Sequence, residues 1–174
     1  VVFDLETTGL SSRHDSIIEF GACKLYKGNI IDRIDFFINP EKPIPYRVQR
    51  LTHIKDSDVE NAKTFKECKD TILDFIKGTV LVAHNAGFDY GFLNEELNRI
   101  GEKPLDNPVI DTLNLSRLLF KEKKRFRLGN IANEFGVEYN DDEAHRADYD
   151  ASVLAEIFNI FIKRLEGLNI NTIK

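Results

Sequence analysis

The order of its apolar runs constrains the fold of this chain more than any other feature of the sequence. Three strand-like runs come first, at Val1–Glu6, Ile17–Tyr26 and Ile30–Ile38, and the turn residues between the last two predict a hairpin. Short apolar strands then alternate with helical patterns, which is typical of an α/β domain with a mixed sheet. We therefore expect a central mixed five-stranded sheet flanked by helices. The later elements are predicted as strands at Val80–Ala83 and Val109–Ile110, and as helices from the cap at Thr64 to Lys77 and over Phe88–Ile100, Thr112–Leu119, Leu128–Phe135 and Ala147–Leu165.

Prolines mark the segment between the hairpin and the first predicted helix. Pro40 ends the hairpin, and Pro43 and Pro45 predict that the residues after it are irregular. Thr64, with Glu67 three positions later, has the pattern of a capping box and predicts the start of a helix.

The bulk properties favour a single domain. A length of 174 residues suits one compact core, so residues 1–174 are expected to form one unit. The chain has no methionine and starts at Val1 inside an apolar run, which predicts that it is excised from a longer polypeptide. It contains neither a signal peptide nor a run of roughly 20 apolar residues, so we expect a cytoplasmic protein without a membrane partner. The net charge of −5 argues against tight, non-specific binding of nucleic acid.

Two carboxylates share one face of the first strand. Asp4 and Glu6 are two positions apart, so their side chains point the same way, roughly 6.6 Å apart along the strand. Like charges at this spacing repel each other unless a cation lies between them. A solvent-exposed strand end is the alternative, but Phe3 and Leu5 make the strand look buried on both faces.

Two further carboxylates lie on helix faces that are expected to be buried. Asp89 begins an apolar stripe on its helix, although a first-turn carboxylate is also favoured by the helix dipole alone. Asp150 shares a stripe with Leu154 and Phe161, and a carboxylate facing a core needs a hydrogen bond, an ion pair or a metal. Asp148 is two helical steps away from Asp150, points elsewhere and is expected to be solvated.

Four acids from three separate elements predict a site for two divalent cations. Oxygen ligands suit Mg²⁺ or Mn²⁺, and no Cys/His cluster suits Zn²⁺. Five helical steps rotate by about 140°, so His145 can meet Asp150 only from the loop that enters the last helix. There an imidazole could take a proton from water, whereas a surface histidine without a role is the alternative.

Three motifs in this order resemble the DEDDh family of 3′→5′ exonucleases, and the match extends from Val1 to about Phe161. They are Val2–Leu10, His84–Asp89 and His145–Ala151. The resemblance implies a ribonuclease H-like fold, two bound metal ions and a histidine general base. Carried over residue by residue, it gives Asp4, Glu6, Asp89 and Asp150 as metal ligands, His145 as the base, and Thr7, Thr8, Gly9, Leu10, His84, Asn85 and Phe88 as contacts of the terminal nucleotide.

Two segments, Asn107–Leu113 and Arg127-Leu128, resemble the proofreading exonucleases of bacterial DNA polymerase III. This resemblance implies single-stranded DNA 3′ ends as substrate and a replicative polymerase, in the same chain or as another subunit, as partner. A basic cluster from Lys121 to Arg127 would contact the phosphate backbone, unless it is only a solvated charge run. Two alternatives stay open: a stand-alone exoribonuclease of the same family, and a non-catalytic scaffold with the same fold.

Overall fold

The structure, a computed structural model, describes residues 1–170; the last four residues of the expected single domain lie outside the described residues. Five strands form one sheet in the order β3-β2-β1-β4-β5. Strand β2 is antiparallel to both of its neighbours, β1 and β3, whereas β1, β4 and β5 run parallel. The predicted mixed sheet is therefore confirmed. The strands are β1 Val2–Thr7, β2 Ile17–Tyr26, β3 Asn29–Phe37, β4 Leu81–Ala83 and β5 Val109–Asp111.

The helices cover both faces of the sheet. Phe3 and Leu5 of β1 belong to a core that includes buried side chains of α3 and α4, whereas Val2 packs with Ala151 and Leu154 of α7. Alternation along β1 therefore places Asp4 and Glu6 on the same side as Val2, towards α7. The helices are α1 Tyr46–Thr52, α2 Asp56–Val59, α3 Phe65–Ile76, α4 Ala86–Arg99, α5 Thr112–Leu119, α6 Leu128–Glu134 and α7 Ala147–Gly167.

The prediction of irregular structure after Pro45 is wrong, because α1 and α2 occupy most of this segment. Proline is compatible with a helix start, since its fixed φ suits the first turn and its missing N–H would have no partner there. Pro45 is the residue before α1 and has a φ of −54°. Val48 and Val59 pack with Ile18 and Ile44 in a small separate core, and this tertiary packing stabilises two short helices.

The predicted capping box at Thr64 is confirmed. The Glu67 carboxylate accepts a hydrogen bond of 2.8 Å from the Thr64 N–H, as a capping box requires. Asp111 caps α5 by accepting hydrogen bonds from the N–H groups of Leu113 and Asn114. None of the helices in residues 1–170 combines the length and the apolarity that a membrane span requires.

Candidate active site

Strand β1 carries the first two carboxylates to one end of the sheet. Asp4 and Glu6 are partly buried between buried neighbours, which confirms that the strand is covered on both faces. Burial raises the pKa of both carboxyl groups well above the ordinary range, and the negative charges of Asp89 and Asp150 raise it further. Both groups therefore resist ionisation unless a positive charge lies near them.

Asp89 reaches the same end of the sheet from α4. Strand β4 ends at Ala83, Asn85 adopts a left-handed conformation with a φ of 68°, and α4 starts at Ala86. This tight turn places Asp89 in the first turn of the helix with only 3% of its surface exposed. Burial raises the pKa of Asp89 to about 8, and the backbone N–H groups of Asp89 and Leu5 partly oppose the rise.

Asp150 faces the sheet from the first turns of α7. It is 7% exposed, and Leu154 and Phe161 on the same stripe are buried, as the helical pattern predicted. Its Oδ2 accepts a hydrogen bond of 3.1 Å from the backbone N–H of His145, whereas its buried Oδ1 has no hydrogen-bond partner among residues 1–170. Burial raises the pKa of Asp150 to about 6, and the hydrogen bond from the His145 N–H lowers it in part.

His145 lies on the loop before α7, which the rotation between positions 145 and 150 requires. Its backbone has a φ of 60°, a conformation that L-residues rarely adopt. The atoms of His145, Glu6 and Asp150 that could bind a metal ion all lie within 4.8 Å of one another, and the histidine side chain is exposed. Partial burial and the neighbouring His53 lower the pKa of His145, so its imidazole is neutral near pH 7 and can accept a proton.

The described part of the chain, residues 1–170, provides no ion-pair partner for this group of acids. Within residues 1–170, none of Asp4, Glu6, Asp89 and Asp150 forms an ion pair with lysine or arginine. Arg146 lowers the pKa of Glu6 somewhat, but it is bound to another carboxylate. A set of carboxylate oxygens with a buried, unpartnered Oδ1 fits a hard divalent cation, and the residues present could hold one.

The loop after β1 contains the residues expected to contact a nucleotide. Thr7 and Thr8 are buried, and their hydroxyl groups bond within the loop to the Gly9 carbonyl and the Asp15 carboxylate. A side chain on Gly9 would collide with the Asp15 carboxylate, so Asp15 would have to move and give up its hydrogen bonds to Thr8 and to the Ser11 N–H. Leu10 is 82% exposed, which leaves its side chain free to meet a ligand.

The second expected contact region follows β4. Both ring nitrogens of His84 are engaged: Nδ1 lies 3.0 Å from Thr112 Oγ1, and Nε2 donates to the Phe126 carbonyl at 2.6 Å. A nucleotide contact through these nitrogens would have to replace the bonds that hold the loop before α6. Asn85 is exposed, and Phe88 is partly buried with its ring 4.8 Å from that of Phe92. Asn85 and Phe88 are therefore better placed than His84 to meet a nucleotide, and all three contacts stay predictions.

Two residues beside the site, Glu19 and Arg146, were not predicted from the sequence. Glu19 is fully buried on β2, opposite Glu6 of β1, and forms an ion pair with Arg146. A single carboxylate within the otherwise apolar run Ile17–Cys23 was a signal that a partner had to exist. Asp148 is exposed as predicted, although it lies with Glu19 and Asp35 in a second group of acids.

Residues 1–158 match the exonuclease family known as RNase_T, and the chain belongs to this family. It is 44% identical over 95% of its length to the PolC-type DNA polymerase III of Streptococcus pneumoniae, and 41% identical to the PolC-type DNA polymerase III of Clostridium perfringens. The chain spans only 11% and 12% of those two proteins.

Solved structures show the same fold at low sequence identity. The nuclease domain of 3′hExo, a DEDDh family member bound to rAMP, superposes with a TM-score of 0.82 at 20% identity and covers 99% of this chain and 94% of its own. Escherichia coli exonuclease I in complex with a dT13 oligonucleotide superposes with a TM-score of 0.83 at 20% identity, covering 96% of this chain and 41% of its own. The expected ribonuclease H-like fold is confirmed.

Proposed function

We propose that this domain removes nucleotides one at a time from the 3′ end of single-stranded DNA, as the proofreading unit of a PolC-type DNA polymerase III in the cytoplasm. The observation that carries the proposal is the close approach of Glu6, Asp150 and His145, together with buried Asp4 and Asp89 whose charges interact with this group. Within residues 1–170 none of these four acids has a lysine or arginine in an ion pair. The family membership and the similarity to PolC-type polymerases support the reaction and its setting.

The acids would hold two ions, Mg²⁺ or Mn²⁺, with Asp4 as the residue whose charge interacts with each of the other three. When bound, such ions polarise a phosphodiester and stabilise negative charge on the attacking and leaving oxygens. The protein residues supply the proton transfer and the geometry. His145, neutral near pH 7, would take the proton of the attacking water at an imidazole nitrogen, and the Asp150 carboxylate would hold the loop through the His145 N–H.

Side chains around the acids would bind the terminal nucleotide. Leu10 protrudes from the loop after β1, and Phe88 lies on α4 one residue before Asp89. A base can stack against an aromatic ring of this kind whatever its sequence, which suits an enzyme that removes every nucleotide in turn.

The basic loop before α6 would guide the strand despite the net charge of −5. Lys121, Lys124 and Arg125 are exposed, and His84 ties this loop to the end of β4 through the Phe126 carbonyl. Contacts of this type are weak and depend on salt, so a tethered polymerase that presents the strand would raise its effective concentration.

Matched DNA and RNA oligonucleotides with a 5′ label test this proposal directly. We expect stepwise loss of 3′ nucleotides from DNA with Mg²⁺ or Mn²⁺, none with chelator, and slower loss from RNA. Faster degradation of RNA would favour the stand-alone exoribonuclease, an option that the fold alone allows because its solved neighbours include complexes with DNA and with rAMP. No release with any divalent cation would support a non-catalytic scaffold.

A further inference from the structure

Glu19 and Arg146 form a hydrogen-bonded ion pair beside the candidate active site. The Glu19 carboxylate is fully buried, and Arg146 donates to Oε1 from Nη2 at 2.6 Å and from Nε at 3.0 Å. The backbone N–H of Ala147 donates to Oε2 at 2.9 Å. The guanidinium also lies over the Phe37 ring, 5.2 Å from its centroid. One carboxylate on β2 thereby fixes both a side chain and the backbone of the segment that precedes α7.

The same segment carries His145. The Arg146 carbonyl accepts the N–H of Asp150 at 2.9 Å, and the His145 N–H donates to Asp150 Oδ2 at 3.1 Å. Hydrogen bonds thus hold residues 145–147 from two sides, by Glu19 of the sheet and by Asp150 of the helix. The left-handed φ of His145 costs free energy, and it persists only where neighbouring contacts enforce it.

Close packing supports this arrangement independently of the ion pair. A side chain on Gly21 would collide with the backbone of Ala147 and Asp148, so the start of α7 lies directly on β2. The loop therefore has little freedom to shift along the sheet.

We propose that Glu19 and Arg146 are positioning residues that hold the His145 imidazole next to Glu6 and Asp150; this inference rests on the exonuclease function proposed above. An ion pair between a buried Glu19 and an Arg146 that is about one-third exposed contributes little to stability, so stability alone does not account for it. A bidentate guanidinium contact does fix direction. Catalysis depends on such direction, because displacing a reacting group by 1 Å can reduce a rate by about 100-fold.

The variant Arg146→Lys separates positioning from charge, because lysine keeps the positive charge but cannot make the forked contact. We expect kcat on single-stranded DNA to fall roughly 10- to 100-fold, as for other residues that orient an active-site group, while KM and Mn²⁺ affinity stay unchanged. Arg33→Lys is the matched control: Arg33 also donates to α7, to Ser152 Oγ at 2.6 Å, but within the described residues it forms no hydrogen bond or ion pair with residues 145–147. A similar decrease of kcat in both variants would overturn the proposal.

A double-mutant cycle with His145→Ala asks whether the effect passes through the histidine. In single-turnover reactions with excess enzyme, Arg146→Lys should slow the wild-type domain but leave the His145→Ala variant unchanged. An equal decrease in both backgrounds would show that Arg146 acts by another route and would contradict the proposal.

Amide hydrogen exchange gives a readout that needs no enzymatic activity. In Arg146→Lys and Glu19→Gln we expect faster exchange at Ala147 and His145, with little change in the middle of α7. Unchanged exchange at these two amides would refute the positioning role even if the domain degrades DNA. Conversely, if the wild-type domain fails to degrade DNA while the two variants show faster exchange, the proposed function is refuted but the structural contact is supported.

Discussion

Two groups of carboxylates lie side by side on the α7 face of the sheet, and within residues 1–170 only one of them includes an ion pair with a protein cation. Glu19 of β2 has the Arg146 guanidinium and the Ala147 N–H as partners. Its cross-strand neighbour Glu6 belongs to the four acids that have no ion pair within residues 1–170. Where a buried carboxylate organises the structure, the chain supplies its own cation. The four acids without such a partner in residues 1–170 can instead bind a divalent ion from solution.

The largest expected effects come from His145 and from the four acids that have no ion pair within residues 1–170. His145→Ala should reduce kcat by about 100- to 10,000-fold, because it removes the proton acceptor, and should leave Mn²⁺ affinity nearly unchanged. Asp150→Ala should reduce kcat by at least the same factor and should also weaken Mn²⁺ binding. Steady-state kinetics and calorimetric titration of both variants check this difference. Equal Mn²⁺ affinity in the two variants would contradict the assignment of Asp150 as a ligand.

Changes in stability should have opposite signs in the two groups. In chelator, Arg146→Met should lower the free energy of unfolding by roughly 1–3 kcal/mol, since it leaves the buried Glu19 carboxylate without its cation, while the lost guanidinium is itself about one-third exposed. Asp89→Asn should raise it, because it removes a buried carboxylate that is unfavourable when ionised. Urea unfolding near pH 8 measures both. A decrease of stability in both variants would contradict the expected opposite signs of the two effects.

Stability of the metal-free domain should fall as the pH rises. The folded pKa of Asp89 is raised to about 8 from an ordinary value of 3.8, so folding favours the protonated acid. The associated stability is complete below about pH 4 and is lost as the pH approaches 8, at about 1.4 kcal/mol for each unit of pKa difference.

Thermal melts in chelator between pH 5 and 8 measure this effect. We expect the melting temperature to decrease with pH by roughly 2–4 °C for each kcal/mol of stability, and added Mn²⁺ to raise it more at pH 8 than at pH 5. Asp89→Asn is the control and should flatten the profile. A melting temperature that rises over this range in chelator would contradict the raised pKa values.

The smallest expected effect concerns the basic loop before α6. Exchanging Lys124 and Arg125 for glutamine should weaken binding of single-stranded DNA about two- to tenfold. The slope of log K against log salt should become shallower by about 0.7 for each phosphate that the variant no longer neutralises. The exposed residues Lys66 and Lys77 on and after α3 provide a control of equal charge. Fluorescence titrations at several salt concentrations measure the DNA affinity of both double variants. Equal weakening in the two would show that only net charge matters and would contradict a specific role of the basic loop.

Much of the fold and the set of site residues follows from patterns of local sequence. Period-2 alternation placed Asp4 and Glu6 on one face, and helical periodicity placed Asp150 on the buried stripe of α7. The rotation of about 140° over five helical positions located His145 on the loop, where the structure has it. These inferences succeeded because each depends on the geometry of a single element.

Features that depend on interactions between distant segments did not follow from the sequence. Helices α1 and α2 are short, and their stability comes from the core around Ile18 and Ile44 rather than from helix propensity. The Glu19–Arg146 ion pair joins residues 127 positions apart, so no local pattern pairs them. The same holds for His84, whose ring nitrogens are bound to Thr112 and to the loop before α6.

Calorimetric titration of Mn²⁺ into the chelator-treated domain measures which of the two groups of acids binds a cation from solution. We expect two ions to bind to each wild-type chain, and the double variant Asp4→Asn with Asp150→Asn to lose this binding. Exchanging Asp35 and Asp148 for asparagine alters the acids beside Arg146, and this control should retain both ions. Loss of Mn²⁺ binding in the control, or its persistence in the Asp4 and Asp150 variant, would contradict the account.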